Sequence, residues 1–546
     1  MNRSMILYVV GHVVMLEGVM LLLPCLVSLI YQESEGIDYL VMAVICMLLG
    51  AIIVKHKPKV NVFYLKEGCI ATALSWIALS IFGALPMCIS GDIPSFTDAL
   101  FETISGFTTT GASILNDVEA LSRTTLFWRS FTHWIGGMGV LVFLLAVLPL
   151  SGGSNINLMK AESPGPSVGK LVPKIKYTAR ILYVIYIVLT AIEIILLIAG
   201  KMPVFHAFCT GFGTAGTGGF GTKNDSFASF SPYLQWVVTI FMILFGVNFN
   251  AYYLILFGNI KKALKMEEVR TYFLIIVAAI AVLVLNLIHT MDGFWTVLRH
   301  ASFQVASIIT TTGFSSVDFD LWNQTCRTIL VILMFIGACA GSTGGGIKVS
   351  RFIIVVKSVV KELNSYLHPK SIKKIKMDGK PIEHEVVRAV NVYFITFIIL
   401  FTASVLLISF EGKDMTSNFT AVAATINNIG PGLELVGPTK NFNVYGTFFQ
   451  IRVNVRYACR KTWSCSHCSC CSIRGMERIT GGQTQKITGQ LMTGYMMYMI
   501  LKCAAAEFRK TNQDNCVPEM RSSVQNEWTD HLRQDVSPLL IYGHDN

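Results

Sequence analysis

Four short turns of threonine or asparagine with glycine interrupt the apolar stretches of this chain. They are Thr108-Thr109-Thr110-Gly111, Thr217-Gly218-Gly219, Thr310-Thr311-Thr312-Gly313 and Asn427-Asn428-Ile429-Gly430. Each follows a short run of mixed polarity, and the first three precede another long apolar one. A motif recurring roughly every 100 residues is the mark of one structural unit used repeatedly. Irregular polar backbone between membrane-length segments is tolerated only where it is buried in protein or lines a cavity. The pattern therefore predicts four helix–turn–helix units around a common axis.

The setting is a membrane. The chain is 53% hydrophobic and 14% charged, with a mean hydropathy of +0.56, whereas soluble domains carry about 25% charged residues. Several runs reach the roughly 20 apolar residues that cross a bilayer. Met5 to Ile30 is too long for the core of a cleavable signal. The net charge of +11 does not point to nucleic acid, because Lys and Arg sit in a few loops. The positive-inside rule places those loops in the cytoplasm. Asp92, Asp98, Asp117, Asp225, Asp318, Asp320 and Asp414 lie beside the turns, on the opposite side. They either gather cations at a mouth or keep exposed loops soluble.

Rings of backbone carbonyls and Thr hydroxyls coordinate a dehydrated monovalent cation without a charged ligand. Glycine is needed where a carbonyl turns inward at positive φ or where backbones meet. The short helices before the turns point their C-terminal dipoles at the axis, which favours cations. The candidate ion-binding residues are Thr109, Thr110 and Gly111; Thr217, Gly218 and Gly219; Thr311, Thr312 and Gly313; and Asn428, Ile429 and Gly430. The metal at these residues is transported potassium, with no cofactor and no structural metal. No catalytic constellation is visible, so the chain does not read as an enzyme. His133, on an apolar helix, reads as packed rather than as a proton relay.

At these residues the chain resembles the Trk/Ktr/HKT superfamily of potassium transporters, and within it the Trk-type membrane subunit. The resemblance spans about Met1 to Thr447. Its motifs are FETISGFTTTGAS, HWIGGMG, TAGTGGF, ITTTGFSSVDFD, GACAGSTGGGIKVSR and INNIGPG. It implies an all-α polytopic fold with four helix–pore loop–helix repeats around a central ion pathway, preceded by two extra transmembrane helices. The units run 1–60 for the N-terminal pair, then 61–152, 153–265 and 266–384 for three repeats. An incomplete fourth covers 385–448, and 449–546 is an anomalous Cys-rich tail. The resemblance implies potassium uptake across the cytoplasmic (inner) membrane, a homodimer in membrane lipid, and a cytosolic ring of nucleotide-binding regulatory subunits. Glycine at all four key positions goes with potassium over sodium. The break at Gly341, Ser342, Thr343, Gly344, Gly345 and Gly346, with Lys348 after it, resembles the family's intramembrane gating loop. A passive kink and a snorkelling Lys348 are the plain readings of the same residues.

After Phe448 the pattern stops. Seven of the 14 cysteines fall between Cys459 and Cys516. Cys465, His467, Cys468, Cys470 and Cys471 have a metal-like density, but the adjacent pair gives no clean knuckle spacing. Synonymous codons for Phe449 to Thr462, read one base later, yield Ser-Lys-Ser-Val-Leu-Met-Phe-Asp-Met-Leu-Ala-Gly-Arg. That supplies the Asp-Met-Leu-Ala-Gly-Arg segment the family carries at this place. The tail is thus expected to be frameshifted and this copy defective. The rivals are a sodium or sodium/potassium relative, a proton-coupled carrier, and a membrane protein with a zinc-binding tail.

Overall fold

The computed structural model describes residues 2–56, 58, 65–139, 175–291, 293–368 and 374–446. Among these, six helices are long and apolar enough to cross a membrane, or seven if one bent pair counts as a span. Helices α1 (Arg3–Met20) and α2 (Leu22–Tyr31) continue through Leu21 as one span, and α3 (Gly36–Lys55) returns. Gly18 and Gly50 let α1 and α3 touch: a Cβ on Gly18 would lie 2.7 Å from the Ala43 carbonyl, and one on Gly50 2.8 Å from that of Gly11. Close backbone approach through small residues is how helices pack in lipid.

The same order then repeats. α4 (Leu65–Ile89) spans, α5 (Phe96–Phe107) is short, and α6 (Arg123–Met138) leads back. α7 (Ile175–Ala199) and α8 (Val204–Gly216) precede α9 (Pro232–Gly246) and α10 (Phe249–Leu256). After α11 (Ile260–Lys265), α12 (Glu267–Leu287) and α13 (Phe294–Ile309) precede α14 (Gln324–Ile336) and α15 (Val349–Leu367). α16 (His384–Ser409) and α17 (Met415–Asn427) open a fourth unit. A two-residue ribbon, Lys376–Met377 against Lys380–Pro381, is the sole sheet among the described residues. The fold is all-α. Leu274, Leu285 and Ile398 stay exposed on their helices, as lipid-facing side chains do.

One element departs from the sequence reading. Leu234 to Phe257 reads as a single returning helix, but α9 and α10 meet at 91°. The Asn248 side chain caps α10 by accepting the Asn250 N–H at 2.9 Å. A break strands the last carbonyls of a helix, and here each finds a donor from elsewhere. The hydroxyls of Tyr272, Tyr252 and Thr343 take Ile243, Leu244 and Phe245. The Cys339 N–H takes Gly246 at 3.1 Å. Tertiary partners stabilise the bend, so local sequence did not announce it.

Candidate functional site

The four short helices end in one and the same cap. Thr109, Thr217, Thr311 and Asn428 take left-handed φ values of 59°, 52°, 60° and 58°. The next residue bonds back to a helix carbonyl: Thr110 to Ser105, Gly218 to Gly213, Thr312 to Ser307 and Ile429 to Ala424, at 2.8–2.9 Å. The residue after that is always glycine at positive φ: Gly111, Gly219, Gly313 and Gly430. Left-handed threonine is uncommon and costs energy, so three such residues at equivalent places mark a geometry imposed by the surroundings.

The glycines arrange the caps in a ring. A Cβ on Gly111 would overlap the Gly218 carbonyl oxygen, one on Gly219 that of Thr312, and one on Gly313 that of Ile429. One on Gly430 would lie 3.1 Å from the Thr110 oxygen. Each turn thus abuts the next, first to second to third to fourth and back to first. Backbone carbonyls from four loops are gathered at one place. Several hydroxyls serve the scaffold: Thr110 pairs with Thr108, Thr312 with Thr310, and Thr217 bonds the Gly216 carbonyl.

Buried polar groups hold this ring from behind. Glu102, on α5, accepts the Ser113 hydroxyl at 2.7 Å and the Ile114 N–H at 2.8 Å, just past the first turn. Arg129, on α6, donates to its other oxygen through Nε at 3.0 Å and a second nitrogen at 2.8 Å. Both are almost completely buried, and the Arg129 guanidinium lies 4.0 Å over the Phe220 ring. His133 accepts the Phe220 N–H through Nε2, so its Nδ1 carries the proton given to the Gly106 carbonyl at 2.8 Å. His133 is a packed strut between the first and second turns.

The Gly341–Gly346 segment abuts the third and fourth turns. The Gly345 N–H donates to the Thr311 hydroxyl at 2.6 Å and the Gly346 N–H to the Asn427 carbonyl at 3.0 Å. Phe249 N–H takes the Gly341 carbonyl at 3.0 Å. Lys348 folds back onto the Gly344 carbonyl, rather than extending away from its own loop. The segment connects the bases of the third and fourth turns to the break between α9 and α10.

The acids near the turns are largely engaged. Asp117 holds the Asn224 amide at 2.8 Å, which together with local N–H groups keeps its carboxyl below the usual range. Asp320 pairs with Arg327 at 3.1 Å. Asp414 caps α17 through the Ser417 N–H at 2.8 Å, and its bonds to Ser417 lower its pKa as well. Asp92 accepts the Ser122 hydroxyl and Asp318 caps a 3-10 turn. Loop architecture accounts for these five.

A family of cation transport proteins, TrkH, matches residues 40–451. The chain belongs to the TrkH family. It is 34% identical over 444 residues to the Trk system potassium uptake protein TrkH of Salmonella typhimurium, covering 80% of this chain and 92% of that one. It is 35% identical over 447 residues to the Vibrio parahaemolyticus TrkH, covering 79% and 91%. The crystal structure of the potassium transporter TrkH from Vibrio parahaemolyticus superposes with a TM-score of 0.77 at 29% identity, covering 86% of this chain and 98% of that one. The TrkH family comprises multi-pass membrane transporters of ions, not enzymes.

Within this TrkH-family fold, the sequence reading found the turns and the glycine-rich segment but missed what braces them. Glu102, Arg129, Asn248 and Glu268 were not singled out. A signal was present for two, Glu102 and Arg129: an ionisable group inside an apolar segment is a functional candidate by default. Asn248 carried no such mark, and Glu268 is one of several charges between Lys261 and Arg270. The tail cluster Cys465, His467, Cys468, Cys470 and Cys471 lies outside the described residues, as does the returning half of the fourth unit.

Proposed function

We propose that this chain is the ion-conducting subunit of a potassium uptake system of the cytoplasmic membrane. The observation that carries the reading is the cyclic contact of the four glycine turns. Potassium sheds water and is held by carbonyls of Thr109 to Gly111, Thr217 to Gly219, Thr311 to Gly313 and Asn428 to Gly430. Smaller sodium needs a tighter cage than a ring of close-packed backbones forms, so four glycines favour potassium. The Gly341–Gly346 segment, with Lys348, is the gate. It lies against the third and fourth turns, where it obstructs the exit. The working form is a homodimer in lipid, controlled by a cytosolic ring of nucleotide-binding subunits, as the family resemblance implies.

This copy transports poorly or not at all. The family match ends at residue 451, just beyond Phe448. α16, the first helix of the fourth unit, has 11% of its span buried, against 28–50% for the other five spans. Among the described residues little packs on α16, which fits a fourth unit without its returning helix. The test is growth on low potassium of cells lacking their own uptake systems. One strain carries this chain and another carries the chain with the frame-restored segment after Phe448. Growth by the restored form alone is expected. Equal growth at equal membrane abundance would show that the tail works; no growth by either would overturn the transport reading.

A further inference from the structure

Glu268 begins the third repeat at the first turn of α12, and none of its contacts is with the ring. Its side chain is buried. One carboxylate oxygen accepts the Ala340 N–H at 2.6 Å and the Ser350 N–H at 3.2 Å. These two amides flank the Gly341–Gly346 segment, one on each side. The other oxygen accepts the Asn248 side-chain amide at 3.2 Å. Asn248 sits at the 91° break and caps α10. Three irregular pieces of backbone therefore converge on one side chain.

An acceptor-only group is what three N–H donors require, and charged acceptors make the stronger hydrogen bonds. Burial disfavours the charge, and the three donors together with Lys348, two residues past the segment, oppose that cost. We propose that Glu268 is the latch of the glycine-rich segment: it holds both ends against the α9–α10 break, so that Gly345 and Gly346 stay bonded to the third and fourth turns. It is a positioning residue and touches no ion. The proposal rests on reading that segment as the gate.

A loop held at both flanks by one side chain opens locally when that side chain is lost, while the surrounding helices stay packed. Cys339 reports such opening. It is fully buried and lies two residues before Gly341. Cys209 and Cys326, on α8 and α14, are equally buried and serve as internal references. The purified full chain is treated with N-ethylmaleimide, and alkylation of each cysteine is followed by peptide mass spectrometry.

Glu268→Ala should raise the Cys339 rate about tenfold or more, with Cys209 and Cys326 unchanged. Glu268→Gln should fall between, because its oxygen still serves the two amides while its NH2 opposes Asn248. An unchanged Cys339 rate in both variants overturns the latch. So does a rise of all three cysteines in step in both variants, which is the mark of general packing. The gate reading is tested apart, by potassium flux of the frame-restored form after deletion of Gly341 to Gly345. A reactive Cys339 with no effect of that deletion keeps the latch and removes the gate. A protected Cys339 with increased flux does the reverse.

Discussion

Asn428 donates its side-chain amide to the Thr108 carbonyl oxygen at 2.6 Å, joining residues 320 positions apart. This bond closes the ring where its backbones are least crowded. At the other three junctions a Cβ would overlap a neighbouring carbonyl, whereas at Gly430 it would lie 3.1 Å from the Thr110 oxygen, tight but not overlapping. Close backbone contact fixes three junctions, and a side chain supplements the fourth.

Asn428→Leu should weaken that seam. The Thr108 carbonyl would lose its donor in a buried place, at a cost of about 1–3 kcal/mol. Thermal unfolding of the purified chain in detergent checks this, with a lower midpoint expected. The same midpoint as the parent would mean that the seam is held by other contacts.

Gly313→Ser should reduce discrimination between potassium and sodium. The new Cβ would collide with the Ile429 carbonyl, displacing one oxygen of the proposed cage, and φ of 85° strains any side chain there. The permeability ratio of the frame-restored form, reconstituted in liposomes, is the measurement. An unchanged ratio would remove Gly313 from the ion path.

Deleting Gly341 to Gly345 from the frame-restored form should raise basal potassium flux. The bond from Gly345 to Thr311 would be lost, and on the proposed gate reading so would the block to ion flow. A folded deletion variant with equal or lower flux would make the segment a structural kink.

The segment from Phe448 to Ser472 should fail to enter the membrane. Arg452, Arg456, Arg460 and Lys461 each cost about 2.5–3.5 kcal/mol near the bilayer centre. Met492 to Ala506, which contains Lys502, is short of the roughly 20 residues a span needs. By the positive-inside rule the loop after the fourth turn faces outward, so the tail should remain there. Trypsin added to intact spheroplasts should then remove a C-terminal epitope. A protected epitope would mean that the chain does cross.

What the sequence determined was local. Apolar runs of membrane length gave helices, because buried backbone in lipid must satisfy itself within each segment. The turns at Gly111, Gly219, Gly313 and Gly430 were legible because glycine breaks an apolar run locally and the same polar–glycine break recurs four times. The recurrence of those turns announced four units and the family they resemble. What the sequence left open was everything that depends on groups far apart along the chain. The Glu102–Arg129 pair, the 91° break after Gly246, the convergence of Ala340, Ser350 and Asn248 on Glu268, and the order in which one turn abuts the next were decided by tertiary structure. Each is a buried polar group or backbone break whose partner lies on another element, and one-dimensional periodicity does not say which element that is.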